Sequence, residues 1–82
     1  MKDRYIYPAI FDYADDGISI EFPDLPGCLS CADTDEEALD MAKEVLRLWL
    51  QNIEDNKEKI PKPTNNKNIS LEDNQKIVLI EI

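Results

Sequence analysis

Apolar residues occupy both alternating sets of residues 4–13, RYIYPAIFDY. Tyr5, Tyr7, Ala9 and Phe11 fall on one set, Ile6 and Ile10 on the other. Side chains alternate across a β-strand, so this pattern predicts a first strand covered on both faces. Pro8 lacks an N–H and is expected at a bulge or where strand pairing changes. ADDG, Ala14 to Gly17, reads as a turn. In the next stretch Ile18, Ile20 and Phe22 alternate with Ser19 and Glu21, predicting a strand with one dry and one wet face that closes a hairpin. Pro23 and Pro26-Gly27 then exclude a helix and enforce an extended connection. CLSCA, Cys28 to Ala32, is expected to form a short third strand.

The pattern then changes period. Thr34-Asp35-Glu36-Glu37 fits a capping box, with Thr34 accepting from the backbone N–H of Glu37 and the Glu37 carboxylate reaching back. Ala38, Ala42, Val45 and Trp49 share one helical stripe, widened by Leu39, Leu46, Leu50 and Ile53, so a helix is predicted from about 35 to 54. Met41 and Leu48 lie off that stripe and are expected to be its exposed apolar residues. Residues 54–75 are polar, with Pro61 and Pro63 favouring a stiff extended path. KIVLIEI closes the chain as a strand with Ile77 and Leu79 on one side and Val78, Ile80 and Ile82 on the other. Either a second surface covers the far face of that strand, or a following segment does.

The predicted order is βββαβ within a single domain, residues 1–82. Three antiparallel strands form a meander, a fourth strand joins them, and one long helix covers one face of an α+β two-layer sandwich. A right-handed crossover through the helix would set the last strand parallel to the first, in sheet order 3-2-1-4. Two strands apolar on both faces in so small a chain predict self-association, most economically a two-fold homodimer. The candidate dimer or partner surface is Ile77, Val78, Leu79 and Ile80.

Charge narrows the partner. Nine Lys and Arg against eighteen Asp and Glu leave a net charge of −9. Nucleic acid is bound by releasing counterions from phosphates with basic side chains, so this chain is repelled by it on average and fits a basic partner. No apolar run approaches the ~20 residues of a membrane span, and MKDRYIYPAIF lacks the apolar core of a signal peptide. A cytoplasmic location is the expectation.

Candidate chemistry is sparse. Histidine is absent, which removes the usual general base and the commonest zinc ligand. Cys28 and Cys31 have the spacing of a zinc or redox pair. A four-ligand site lacks its other two ligands, however, and the helix cap that would activate a thiol sits at Thr34. Two reduced, partly buried side chains are expected, with no metal and no cofactor. Asp33, Asp35, Glu36, Glu37 and Asp40 crowd the helix start, and Asp40 and Glu44 extend the charge along the helix. Carboxylates there complement the helix dipole, each by about 0.3–1 kcal/mol, but one or two would suffice. The excess equally fits a surface for a basic partner, and the residues alone leave both readings open. A metal-dependent nuclease would need Asp12, Glu44 and Glu81 to converge on Mg²⁺; their spacing is not specific for that chemistry.

The concatenated motifs resemble one family. Tyr7-Pro8-Ala9, Phe22 to Cys28, Asp33-Thr34, Glu36 to Leu39, Ala42 to Glu44 and Trp49 match the pattern of HicB-like antitoxins, and IPKPT is similar to the family's Pro-rich segment. The resemblance covers about residues 5–64. It implies a partial ribonuclease H-like domain without nuclease chemistry. The implied partner is a HicA-type toxin, a small basic mRNA interferase with a catalytic His, whose RNA-cleaving surface the complex masks. Many members continue into a C-terminal DNA-binding module. This chain stops at Ile82, so direct operator binding is not expected of it. The resemblance names no toxin-contacting residues; the acidic set is assigned to that role from charge.

Overall fold

The computed structural model describes residues 5–63 and 69–82; Arg4, where the first strand was expected to begin, and Thr64 of IPKPT lie outside them. The elements are β1 (Ile6–Ala14), β2 (Gly17–Glu21), β3 (Leu29–Ala32), α1 (Asp35–Asp55) and β4 (Gln75–Glu81). They form one four-stranded sheet in the order β3-β2-β1-β4, with α1 packed on one face.

The order agrees with expectation, but the direction of β4 does not. It runs antiparallel to β1, pairing Ile6 with Glu81 and Asp12 with Gln75. The helix starts beside the Ala14 and Ala32 ends of the sheet and runs back to the other end, where the Tyr7 hydroxyl donates to the Pro61 carbonyl. The chain must then return to the first end, where the Tyr13 N–H donates to the Asn74 carbonyl (2.9 Å). Residues 56–74 provide that return. At about 3.3–3.6 Å per residue they can reach ~60 Å, far more than the ~30 Å of a nine-residue strand. The helix is therefore only half of the crossover, and a parallel fourth strand is not required.

Pairing also accounts for Pro8. Tyr5 and Ile82 exchange both backbone bonds (3.2 and 2.9 Å). Antiparallel bonding alternates, so odd-numbered residues of β1 bond to β4 and even-numbered ones to β2. Pro8 thus directs its missing donor toward β2, and β2 ends at Glu21, opposite Ile10. No ladder bond is lost, and no bulge is needed.

The core lies between the helix and one sheet face. Tyr7, Ala9 and Phe11 of β1, Ile18 and Ile20 of β2, Ala32 of β3 and Ile80 of β4 meet Ala38, Ala42, Leu46, Leu50 and Ile53 of α1. Phe22, Leu25 and Cys28 close one side of it. The Leu25 N–H donates to the Phe22 carbonyl and the Cys28 N–H to the Leu25 carbonyl, both at 2.9 Å, so the Pro-rich connection folds as two turns around a fully buried Leu25. Gly27 follows with φ +91°, and a Cβ there would stand 3.2 Å from the Trp49 ring. Only glycine meets both demands.

At the helix start Thr34 is extended and its hydroxyl accepts from the Glu37 N–H (3.2 Å), the half of the capping box that forms among the described residues. The helix ends in a Schellman motif. The Glu58 N–H reaches the Ile53 carbonyl and the Lys57 N–H reaches the Glu54 carbonyl, with Lys57 left-handed at φ 57°. Leu48 is 61% exposed, as its azimuth predicts, whereas Met41 packs against the core. Leu39 corrects the expected stripe in the other direction. It shares the azimuth of Leu46 but sits near the helix N-terminus and stays 40% exposed.

Candidate functional site

Two surfaces emerge from this scaffold. The first is the helix start, where Asp33, Asp35, Glu36, Glu37 and Asp40 are all exposed, continued along the helix by exposed Glu44. Asp35, Glu36 and Glu37 occupy the first turn, beside the positive end of the helix dipole. The sheet braces one of them: the Tyr13 hydroxyl of β1 donates to Asp35 Oδ1 at 2.6 Å. Lys76 of β4 lies with its ammonium 5.2 Å from the centroid of the Tyr13 ring. Its pKa is raised, chiefly by the Tyr13 hydroxyl and further by the Asp35 carboxylate. Three elements thus meet at one end of the molecule. Nothing local in the sequence joins Tyr13 and Lys76 to the acidic set, because the join depends on the β1–β4 register.

The second surface is the sheet face turned away from the helix. The predicted set Ile77, Val78, Leu79 and Ile80 does not lie on it as a unit. Ile80 is core, 1% exposed, and Val78 packs against the core; both pair with core-facing residues of β1. Ile77 and Leu79 take the other parity and face outward, Leu79 at 58% exposure. Ile6 and Ile10 of β1 and Leu29 of β3 share this face, with Leu29 brought beside Glu21 and Glu21 beside Ile10. Ile6 and Ile10 were visible in the sequence as the second apolar set of β1. Leu29 becomes recognisable only once β3 is registered on β2.

The carboxylates proposed for nuclease chemistry do not converge. The Asp12 carboxylate accepts from Asn74 Nδ2 (2.7 Å) and Gln75 Nε2 (2.9 Å) on the open face. Glu81 pairs with Ile6, six strand positions from Asp12 or ~20 Å along the sheet. Glu44 projects from the helix, across the sheet from Asp12. Among the described residues no group of three or more His, Cys, Asp or Glu could hold a metal ion.

The two cysteines also part. Cys28 is buried, with its Sγ 3.9 Å from the Val45 carbonyl, and Cys31 is exposed on the open face. Burial pushes the Cys28 thiol up to about 11. A raised folded pKa contributes stability below the unfolded value, 9.0, that is lost as pH climbs through about 11. At pH 8 a thiol-specific chromophore is therefore expected to label Cys31 rapidly and Cys28 only upon unfolding. Two equivalents consumed at one rate would contradict this placement.

The fold is shared with chains of known structure. It superposes on a chain of a toxin–antitoxin complex from Streptococcus pneumoniae with a TM-score of 0.86 at 22% identity, covering 95% of this chain and 68% of that one. A chain of the HicA3 and HicB3 toxin–antitoxin complex gives 0.76 at 20% identity, covering 93% and 95%. At such identities these likenesses show the fold. The family model for HicB-like antitoxins of bacterial toxin–antitoxin systems matches residues 7–81, and the chain belongs to that family. Among curated relatives, the Antitoxin HicB 2 of Photorhabdus laumondii subsp. laumondii is 34% identical over 64 residues, 78% of this chain and 46% of that protein. An "uncharacterized 14.9 kDa protein in rep-hol intergenic region" of Haemophilus phage HP1 is 35% identical over 57 residues, 70% of this chain and 43% of that one. The chain thus spans less than half the length of these two relatives. No helix among the described residues is long and apolar enough to cross a membrane.

Proposed function

We propose that this chain is an antitoxin that binds a small basic HicA-type mRNA interferase and neutralises it by masking its RNA-cleaving surface. The family match across residues 7–81 carries the reading. The exposed acidic helix start, in a chain of net charge −9, supplies the complementary surface. On this reading the protein works by binding, without catalysis or cofactor, in the cytoplasm where the toxin meets its RNA. It does so as a homodimer. Operator binding forms no part of the proposal.

Co-expression tests it. If the proposal holds, the product of the neighbouring gene is a small basic protein that arrests growth when expressed alone. It should be harmless, and co-purify, when the two are expressed together. Persistent arrest with both proteins present and no complex on purification would overturn the proposal.

A further inference from the structure

We propose that the outer edge of β4 at Ile77 and Leu79 pairs with the same edge of a second copy of this chain, antiparallel, about a two-fold axis through Val78. This rests on the homodimer reading above and specifies its interface.

The backbone supplies the first argument. Tyr13 bonds to Asn74 and Tyr5 to Ile82 across the β1–β4 ladder, so the even-numbered residues of β4 spend their peptide groups on β1. Ile77 and Leu79 accordingly turn their N–H and C=O groups to the outer edge. At Gln75 the N–H is already taken by the Glu72 carbonyl (3.1 Å), so the available edge starts at Ile77. No described segment pairs with it, and β4 ends the strand order. Edge strands are usually guarded by a proline, a bulge or outward charges. This one carries Ile77 and Leu79 at its centre, and Lys76 is drawn over the Tyr13 ring on the helix side.

Symmetry supplies the second argument. The midpoint of Gln75–Glu81 is Val78. A two-fold axis there sets Ile77 of each copy opposite Leu79 of the other, as bonded pairs, with the Gln75 and Glu81 ends facing one another outside them. Four aliphatic side chains then form one block on the open face, bordered by Ile6, itself 47% exposed. Charge favours the same edge. Two copies of a −9 chain repel, yet β4 carries one Lys and one Glu and is locally neutral. The opposite edge, β3, has four residues and runs directly into Asp33 and the acidic helix start. Pairing through β4 also leaves that acidic surface open to the proposed toxin.

The experiment uses the full chain. Sedimentation of the unaltered protein should give twice the chain mass, and Leu79→Lys should give the chain mass with an unchanged circular dichroism spectrum. Val78→Cys in a Cys31→Ser background places two thiols across the axis as a non-bonded pair, with Cα atoms about 4.5 Å apart, inside the range a disulfide spans. It should form a disulfide-linked dimer under mild oxidation, and Ile6→Cys in the same background should not. A dimer that survives Leu79→Lys and fails to cross-link through position 78 overturns the β4 interface and leaves the homodimer standing. A monomer at every concentration removes both. Co-purification with the toxin, measured on the same samples, reports on the antitoxin reading independently. If Leu79→Lys does not fold, the cross-link alone decides.

Discussion

Replacing Asp35, Glu36 and Asp40 together by lysine is expected to slow association with the proposed basic partner by roughly 10–10³-fold at low ionic strength. The three carboxylates are exposed and lie within the first two turns of α1, so their field adds to an attraction that steers encounter. Screening shortens that reach to about 10 Å at 0.1 M salt, so the unaltered pair should lose on-rate steeply as salt rises, and the variant should show a flatter dependence. The substitution also sets three cations at the positive end of a helix dipole and removes the carboxylate that Tyr13 braces. About 1–3 kcal/mol of stability should go with them. Rates must therefore be read at temperatures where circular dichroism shows the variant folded. Glu58→Lys, beyond the other end of the helix, is a control for a charge change away from the acidic surface and should leave the rate nearly unchanged. Equal on-rates for the triple variant and the unaltered chain at low salt would remove the helix start from the interface.

How far the sequence could have led is best seen at particular residues. The helix start was legible because Thr34 and the acidic turn are local signals, and the cap forms where they place it. The meander was legible because turns and prolines separate runs of distinct parity. The direction of β4 was not, because nothing in KIVLIEI encodes direction. It depends on whether residues 56–74 merely join or travel back, and their polar composition fits either. Parity correctly divided Ile77 and Leu79 from Val78 and Ile80. Which pair faces the helix is fixed by registration against Tyr7 and Ala9, a long-range fact. Membership of the family followed from motif residues that are mostly structural. Leu25 and Cys28 are core, and Gly27 admits the Trp49 ring. The motif thus specifies the scaffold, and the surfaces that would meet a partner are drawn from less patterned positions.

Truncating Leu50 to alanine is expected to cost about 2–5 kcal/mol, because the side chain is fully buried where α1 crosses the sheet and the surrounding core can only partly collapse into the void. A chain of this size holds ~4–12 kcal/mol in all, so the loss takes a large share of the total. At about 4–8 °C per kcal/mol, the melting temperature should fall by roughly 10–30 °C, measured at fixed protein concentration because the proposed self-association would also stabilise the fold. Leu48→Ala is the comparison that isolates burial from helix propensity. The same side chain is removed from the same helix at a 61% exposed position, and the expected change is under about 0.5 kcal/mol. Ile80→Ala extends the logic to the strand whose orientation the sequence concealed. With Ile80 1% exposed against the helix face, its truncation should also cost about 2–5 kcal/mol, whereas Leu79→Ala, on the opposite parity, should act on self-association far more than on the fold. Should Leu79→Ala lower the melting temperature of the dilute protein as much as Ile80→Ala does, β4 would present its faces the other way round, and the outward placement of Ile77 and Leu79 would be wrong.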